Sequence, residues 1–255
     1  MAVVLAVGLP GGGTGVANAA VAVRKAAAVT AAAAERSGTA VVQITQGGEF
    51  WAGNTVRWND ADLAVARIGR SRAGKTGSKL LVVDGTLYGS GPVGAGWVVL
   101  GDPENIDPDS GATPREYLAT VREDTGGATV RRITDAMTGL TTRQLADGST
   151  VYSGAVYSGA VAAGQIARES SFKEGRSIRV LPFGFVAHDE AANPAALLDV
   201  ALTVGTDGIV RELTVTWGTS ASPWSYSVTY DGLGATPALV APAGARSLRD
   251  TLRTG

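Results

Sequence analysis

Several stretches of this 255-residue chain have residue types at spacings that chemistry uses. The sharpest is Gly69-Arg70-Ser71-Arg72-Ala73-Gly74-Lys75-Thr76, which satisfies the G-x-x-x-x-G-K-[ST] pattern of a phosphate-binding loop, with Leu80-Leu81-Val82-Val83-Asp84 following like a second nucleotide motif. That chemistry requires the lysine and threonine to open a helix whose free amides hold phosphate. Here Gly77 and Ser78 lead straight into a β-type run, and parallel strands need a crossover of about a dozen residues. The pattern therefore reads as a basic hairpin loop. A second glycine loop, Gly11 to Gly15, sits between a strand-like Ala2–Val7 run and an alanine-rich stretch, but no βαβ pattern follows it. Asp102, Asp107 and Asp109 could offer oxygen ligands to calcium, yet the loop lacks the glycine and terminal glutamate of an EF-hand and reads as solvated. His188-Asp189-Glu190 could form an acid–base pair, but no nucleophile motif points to it, and a surface loop is the simpler reading.

Composition closes further routes. The chain has no cysteine and one histidine, which removes disulfides, thiolate sites and any zinc site built from several histidines. A net charge of −1 gives no basic field for nucleic acid. The sequence thus predicts a non-catalytic protein with no catalytic residues, no metal and no cofactor. Arginine outnumbers lysine, and alanine and glycine abound, a composition that fits a GC-rich genome.

The elements available to position a site are mostly strands. Leu198, Val200, Leu202 and Val204 alternate with polar or small residues, and Thr206-Asp207-Gly208 follows as a hairpin turn. Ile209, Leu213, Val215 and Trp217 share the next face, interrupted by Arg211; Trp224, Tyr226, Val228 and Tyr230 form the third. Earlier runs predict short antiparallel strands at 40–45, 50–58, 60–68, 79–84, 86–88 and 97–100, joined by tight turns. An alanine-rich helix is expected over 20–36, ended by Ser37-Gly38. Thr113-Pro114-Arg115-Glu116 forms a capping box at the start of a helix over 114–123. Val130, Ile133, Met137 and Leu140 have helical spacing in a second helix. Strands resume near Thr141, turn at Asp147-Gly148 and run through Val151–Val156, where Val151-Tyr152-Ser153-Gly154-Ala155 is duplicated at once. The duplication is too short for a solenoid repeat and is expected in a loop or bulge. Pro182 marks an edge or bulge in a strand over 179–186. Residues 1–19, an apolar run with a Pro/Gly break and an Ala17-Asn18-Ala19 site, read as a signal peptide or its remnant without its basic start. Residues 20–255 then form a single domain.

The C-terminal strand Trp224–Tyr230, followed by Asp231-Gly232-Leu233-Gly234 and a last short run ending Leu239-Val240-Ala241-Pro242, resembles the end of the LolA-like superfamily of exported carriers, which includes the actinobacterial LppX and LprG types. Val83-Asp84-Gly85 with Tyr88 and then Trp97 is similar to another of its segments. The likeness spans residues 20 to 245 and departs at the N-terminus, where no lipobox cysteine stands. It implies an α+β fold: a strongly curved antiparallel sheet, a half-barrel, with helices packed on its concave face and an apolar cavity between. It implies a monomeric, exported cell-envelope protein that binds lipid or the acyl chains of a lipoprotein and makes peripheral membrane contact. The alternative on the same fold is an extracytoplasmic sensor or regulatory domain that binds an envelope partner protein. Cavity-lining candidates are Trp58, Leu81, Val83, Val130, Ile133, Val215 and Trp217; the run Leu80–Val83, apolar on both parities, leaves its inward side open.

Overall fold

The computed structural model describes residues 12–59, 62–71, 74–91, 94–104, 126–157 and 195–247, together with 113, 115, 116, 119 and 122. Among these, the strands are β1 (Ser37–Gln46), β2 (Glu49–Asn59), β3 (Asp62–Ser71), β4 (Gly74–Val83), β5 (Thr86–Gly91), β6 (Gly94–Gly101), β7 (Thr138–Gln144), β8 (Thr150–Tyr157), β9 (Leu197–Val204), β10 (Val210–Trp217), β11 (Trp224–Asp231) and β12 (Arg246–Ser247). The helices are α1 (Gly12–Arg36) and α2 (Gly127–Ala136).

All strands join one unclosed sheet in the order β12-β6-β5-β4-β3-β2-β1-β11-β10-β9-β8-β7. Every pairing is antiparallel except β12 against β6. The middle of the sheet brings together two meanders distant in sequence, because β1 pairs with β11 from Thr39↔Asp231 to Gln46↔Trp224. The fold is α+β, as the family resemblance implies.

One face of this sheet is apolar over most of its width. Strand register sets Tyr230, Ala40, Val56, Val65 and Leu80 side by side across β11, β1, β2, β3 and β4. Val200, Val215, Tyr226 and Ile44 form another such row. Both helices pack on this face, since Ala19, Val23, Ala26, Ala27 and Ala34 of α1 and Val130 and Ile133 of α2 belong to the same buried cluster. β4 is apolar on both sides for a reason: Leu80 and Val82 face that cluster, while Leu81 and Val83 pack with Leu239 on the other side of the sheet.

Several expectations are corrected. α1, expected over 20–36, already begins at Gly12, and its Ala19 is buried. Leu140 is buried in β7, because α2 ends at Ala136 and Gly139, at φ 64°, redirects the chain into a strand. Val210 rather than Ile209 faces the core, because the β9–β10 register shifts between Val210 and Glu212 and the extra residue, Arg211, absorbs the parity change. The first copy of the duplicated pentapeptide is regular β8, which also takes Val156 and Tyr157 of the second copy. The run at 236–242 forms no strand; it is irregular chain whose Leu239 covers the second apolar cluster. The capping box forms as expected: the Glu116 amide donates to Thr113 Oγ1 at 3.1 Å and the Thr113 amide to Glu116 Oε2 at 2.8 Å. The Asp107 and Asp109 loop, the expected strand over 179–186 and His188 lie outside the described residues.

Candidate functional site

The apolar face and the helices over it are the candidate site. α1 is fixed at its C-terminal end by two buried hydrogen bonds. Trp58 Nε1 donates to the Ala34 carbonyl at 2.7 Å, satisfying one of the helix's last carbonyls. Thr30 Oγ1 donates to the Ala26 carbonyl at 2.7 Å and accepts the Val210 amide at 2.8 Å, so the helix supplies the partner that the β10 bulge removed. Gly38 lets the Trp58 ring lie against β1: a Cβ there would stand 2.8 Å from Trp58 Cη2 and 2.6 Å from Leu233 Cδ2.

α1 and α2 approach through small residues. A Cβ on Gly127 would lie 2.6 Å from the Ala31 Cβ and 2.9 Å from its nitrogen. Beside this contact opens a cleft of about 310 Å³, lined by Ala31, Ala34 and Glu35 of α1, by Ala119 and Arg122, and by Gly126, Gly127, Ala128 and Arg131 at the start of α2. Arg122 donates to the Glu35 carbonyl at 2.6 Å across it.

Of the expected lining residues, the structure brings Trp58, Val130, Ile133, Val215 and Trp217 into one buried cluster between sheet and helices. Leu81 and Val83 stand on the opposite face, with Leu239 and the half-buried Ala64, Tyr88 and Trp97. None of the seven lines the cleft. Its signal in the sequence was the pairing of Ala31 and Ala34 with Gly126-Gly127, small residues that leave space where two helices meet.

Inside the apolar cluster, Trp217 Nε1 and the Tyr230 hydroxyl are buried without a hydrogen-bond partner among the described residues. Burial pushes the Tyr230 phenol well above its ordinary range, so it stays a neutral donor. Trp217 stacks on Trp224 with centroids 6.2 Å apart, and Trp51 meets Trp224 edge-on at 5.7 Å. The GKT pattern supports no phosphate loop: β3 and β4 pair through it, with Gly69 opposite Thr76 and Arg70 opposite Lys75. Among the described residues, no group of three or more His, Cys, Asp or Glu side chains could hold a metal ion.

Among the described residues, a mostly antiparallel, unclosed sheet carries α1 and α2 against one broad apolar face. No protein-family model matches this sequence, and no curated protein matches it. Among solved structures, LprF from Mycobacterium bovis superposes with a TM-score of 0.52 at 16% identity, over 89% of this chain and 98% of that one. The Mycobacterium tuberculosis lipoprotein LppX gives a TM-score of 0.46 at 14% identity, over 88% and 99%. The chain has the fold of LprF.

Proposed function

We propose that this protein is a non-catalytic carrier of the cell envelope that holds the acyl chains of a lipid or an acylated protein between its sheet and helices. The observation that carries the reading is the single broad apolar face, covered by α1 and α2, in the fold of LprF. Such a face suits an acyl chain, because each methylene removed from water is worth about 0.8 kcal/mol. The chain enters between the helices and the sheet, starting from the cleft beside Gly127, whose volume of about 310 Å³ is at the small end for a ligand pocket. The Tyr230 hydroxyl and Trp217 Nε1 offer donors to the ligand's polar part. Export fits the N-terminal helix, which over Gly15–Arg36 is long and apolar enough to cross a membrane. The expected lining residues that meet in the cluster, Trp58, Val130, Ile133, Val215 and Trp217, form the wall of this site in the proposal.

One observation favours the second reading, a regulatory domain of the same fold with a filled interior: Trp58, Val215 and Tyr226 are wholly buried within the protein itself. Native mass spectrometry of the protein from its own host, with organic extraction, separates the two. A bound diacyl lipid or acylated peptide is the expected result. A clean apo mass, with no uptake of added lipid, would sink the carrier reading and leave the regulatory one.

A further inference from the structure

The repeat at β8 is a hexapeptide with a shared valine. Val151–Val156 and Val156–Val161 both read Val-Tyr-Ser-Gly-Ala-Val. β8 places the first copy at sites 151–156, between β7 and β9. In a sheet, the site along the ladder fixes which face a side chain takes. If β8 slides by five residues, the second copy fills these sites with the same residue at each of them and on the same face.

The sites are demanding. Val156 is wholly buried in the main cluster, and Val161 replaces it in the shifted strand. Tyr152 packs half-buried against that cluster, and Tyr157 replaces it. The glycine site is the strictest. A Cβ on Gly154 would stand 2.6 Å from the Thr138 carbonyl oxygen and 3.3 Å from Met137 Cε. Shifts of one to four residues bring Ala155, Val156, Tyr157 or Ser158 there, and a shift of five brings Gly159. Thr138 Oγ1 and Thr141 Oγ1 donate to the backbone carbonyls of Ala155 and Ser153, at 3.2 and 3.4 Å, which any residue supplies.

We propose that β8 has two registers five residues apart, the observed one and one in which residues 155–162 form the strand. Only the strand's ends then change, with Ala155 in place of Thr150 and Ala162 in place of the exposed Tyr157. The shift opens the turn after β7. There the Leu145 amide donates to the Ser149 carbonyl at 2.8 Å, the Gly148 amide to the Leu145 carbonyl at 3.1 Å and the Ser149 amide to Asp147 Oδ1 at 2.9 Å. At about fivefold per bond and about threefold for the doubled loop, the shifted register holds on the order of one molecule in a few hundred. Each shift draws length from the link 158–196 into the β7–β8 hairpin, so β8 sets the slack of that link. Sliding needs no ligand and stands or fails apart from the carrier reading.

The chain has no cysteine, so engineered pairs report the register directly. Ser153→Cys with Ala201→Cys, opposite each other in the ladder, should form a disulfide under oxidised glutathione. Ser158→Cys with Ala201→Cys should also form one, slower by on the order of a few hundredfold, in a protein that keeps its circular dichroism and cooperative unfolding. Gly148→Ala strains the turn at φ 84° in the observed register alone and should speed this trapping about tenfold. Gly159→Val blocks the shifted register and should abolish the Ser158 disulfide while leaving the Ser153 disulfide unchanged. Tyr157→Cys with Ala201→Cys separates sliding from fraying, because the shift that aligns this pair puts Ser158 at the glycine site. Absence of the Ser158 disulfide overturns the inference, as does equal trapping of the Tyr157 pair or trapping that survives Gly159→Val. A deletion of residues 146–150 tests the same register without a disulfide. It removes the observed turn and leaves Val151–Gly154 to close the hairpin, with residues 155–162 as β8. This variant should unfold cooperatively with unchanged circular dichroism, and Gly159→Val within it should prevent folding. A deletion variant that does not fold, or one that tolerates Gly159→Val, also overturns the inference.

Discussion

Tyr230→Phe should make the protein more stable, and increasingly so at alkaline pH. The ring fills the core between Ala40 of β1 and the helix layer, and Phe keeps it. What changes is the hydroxyl, which is buried and without a partner. Leaving such a group unbonded costs about 1–3 kcal/mol, so its removal should return a gain of that order at pH 7. A second effect follows from the phenol's raised pKa. The folded state holds the proton and the unfolded state releases it above the ordinary value of 10.0, so stability is intact below pH 10 and falls as pH rises beyond it. At pH 11 the wild type has lost about 1.4 kcal/mol from this one group, and the Phe variant loses none of it. Equilibrium urea unfolding of both proteins at pH 7 and pH 11 reads both effects, because other titrations cancel in the difference. A Phe variant less stable at pH 7 would show that the hydroxyl is satisfied. A stability gap that stays constant with pH would show that the phenol ionises freely in the folded protein.

Two further substitutions test how the helix layer is held. Thr30→Val keeps the shape but leaves the Val210 amide buried without its acceptor, and should cost about 1–3 kcal/mol in urea unfolding, with faster hydrogen exchange at Val210; Thr30→Ser, which keeps the oxygen, should restore most of it. Gly127→Ala forces α1 and α2 apart at Ala31 and should lower the unfolding free energy by about 1–3 kcal/mol, outweighing the gain of about 1 kcal/mol in helix propensity, whereas a neutral result would mean that the helices do not meet there.

Much of the sheet was legible in the sequence because its signals are local. Period-2 alternation in β9 and β11 and the Asp-Gly turns at 84–85, 147–148 and 207–208 need only neighbours to be read. What depends on distant partners was not legible. The apolar run Leu80–Val83 serves two faces, and only the position of Leu239 shows that Leu81 and Val83 face away from the helices. The bulge at Arg211 is invisible until Thr30, far away in sequence, supplies the acceptor for Val210. The helical spacing from Val130 to Leu140 was real as a pattern, but β7 takes over after Met137, since Leu140 buries equally well on a strand. The cleft escaped notice because alanine and glycine carry no chemistry of their own; their meaning lies in the space left between two helices.

Asp62, Asp84, Asp102, Asp147, Asp207 and Asp231 all stand at strand termini or in turns at one end of the sheet. The acidic end has a structural reason for its acids. Asp147 Oδ1 accepts the Ser149 amide at 2.9 Å and Asp207 Oδ1 accepts the Ile209 amide at 3.2 Å, each closing a turn ahead of a glycine at positive φ. Asp84 itself adopts φ 49° ahead of Gly85, a conformation that aspartate tolerates better than most residues. Turn chemistry alone would therefore put carboxylates at that end.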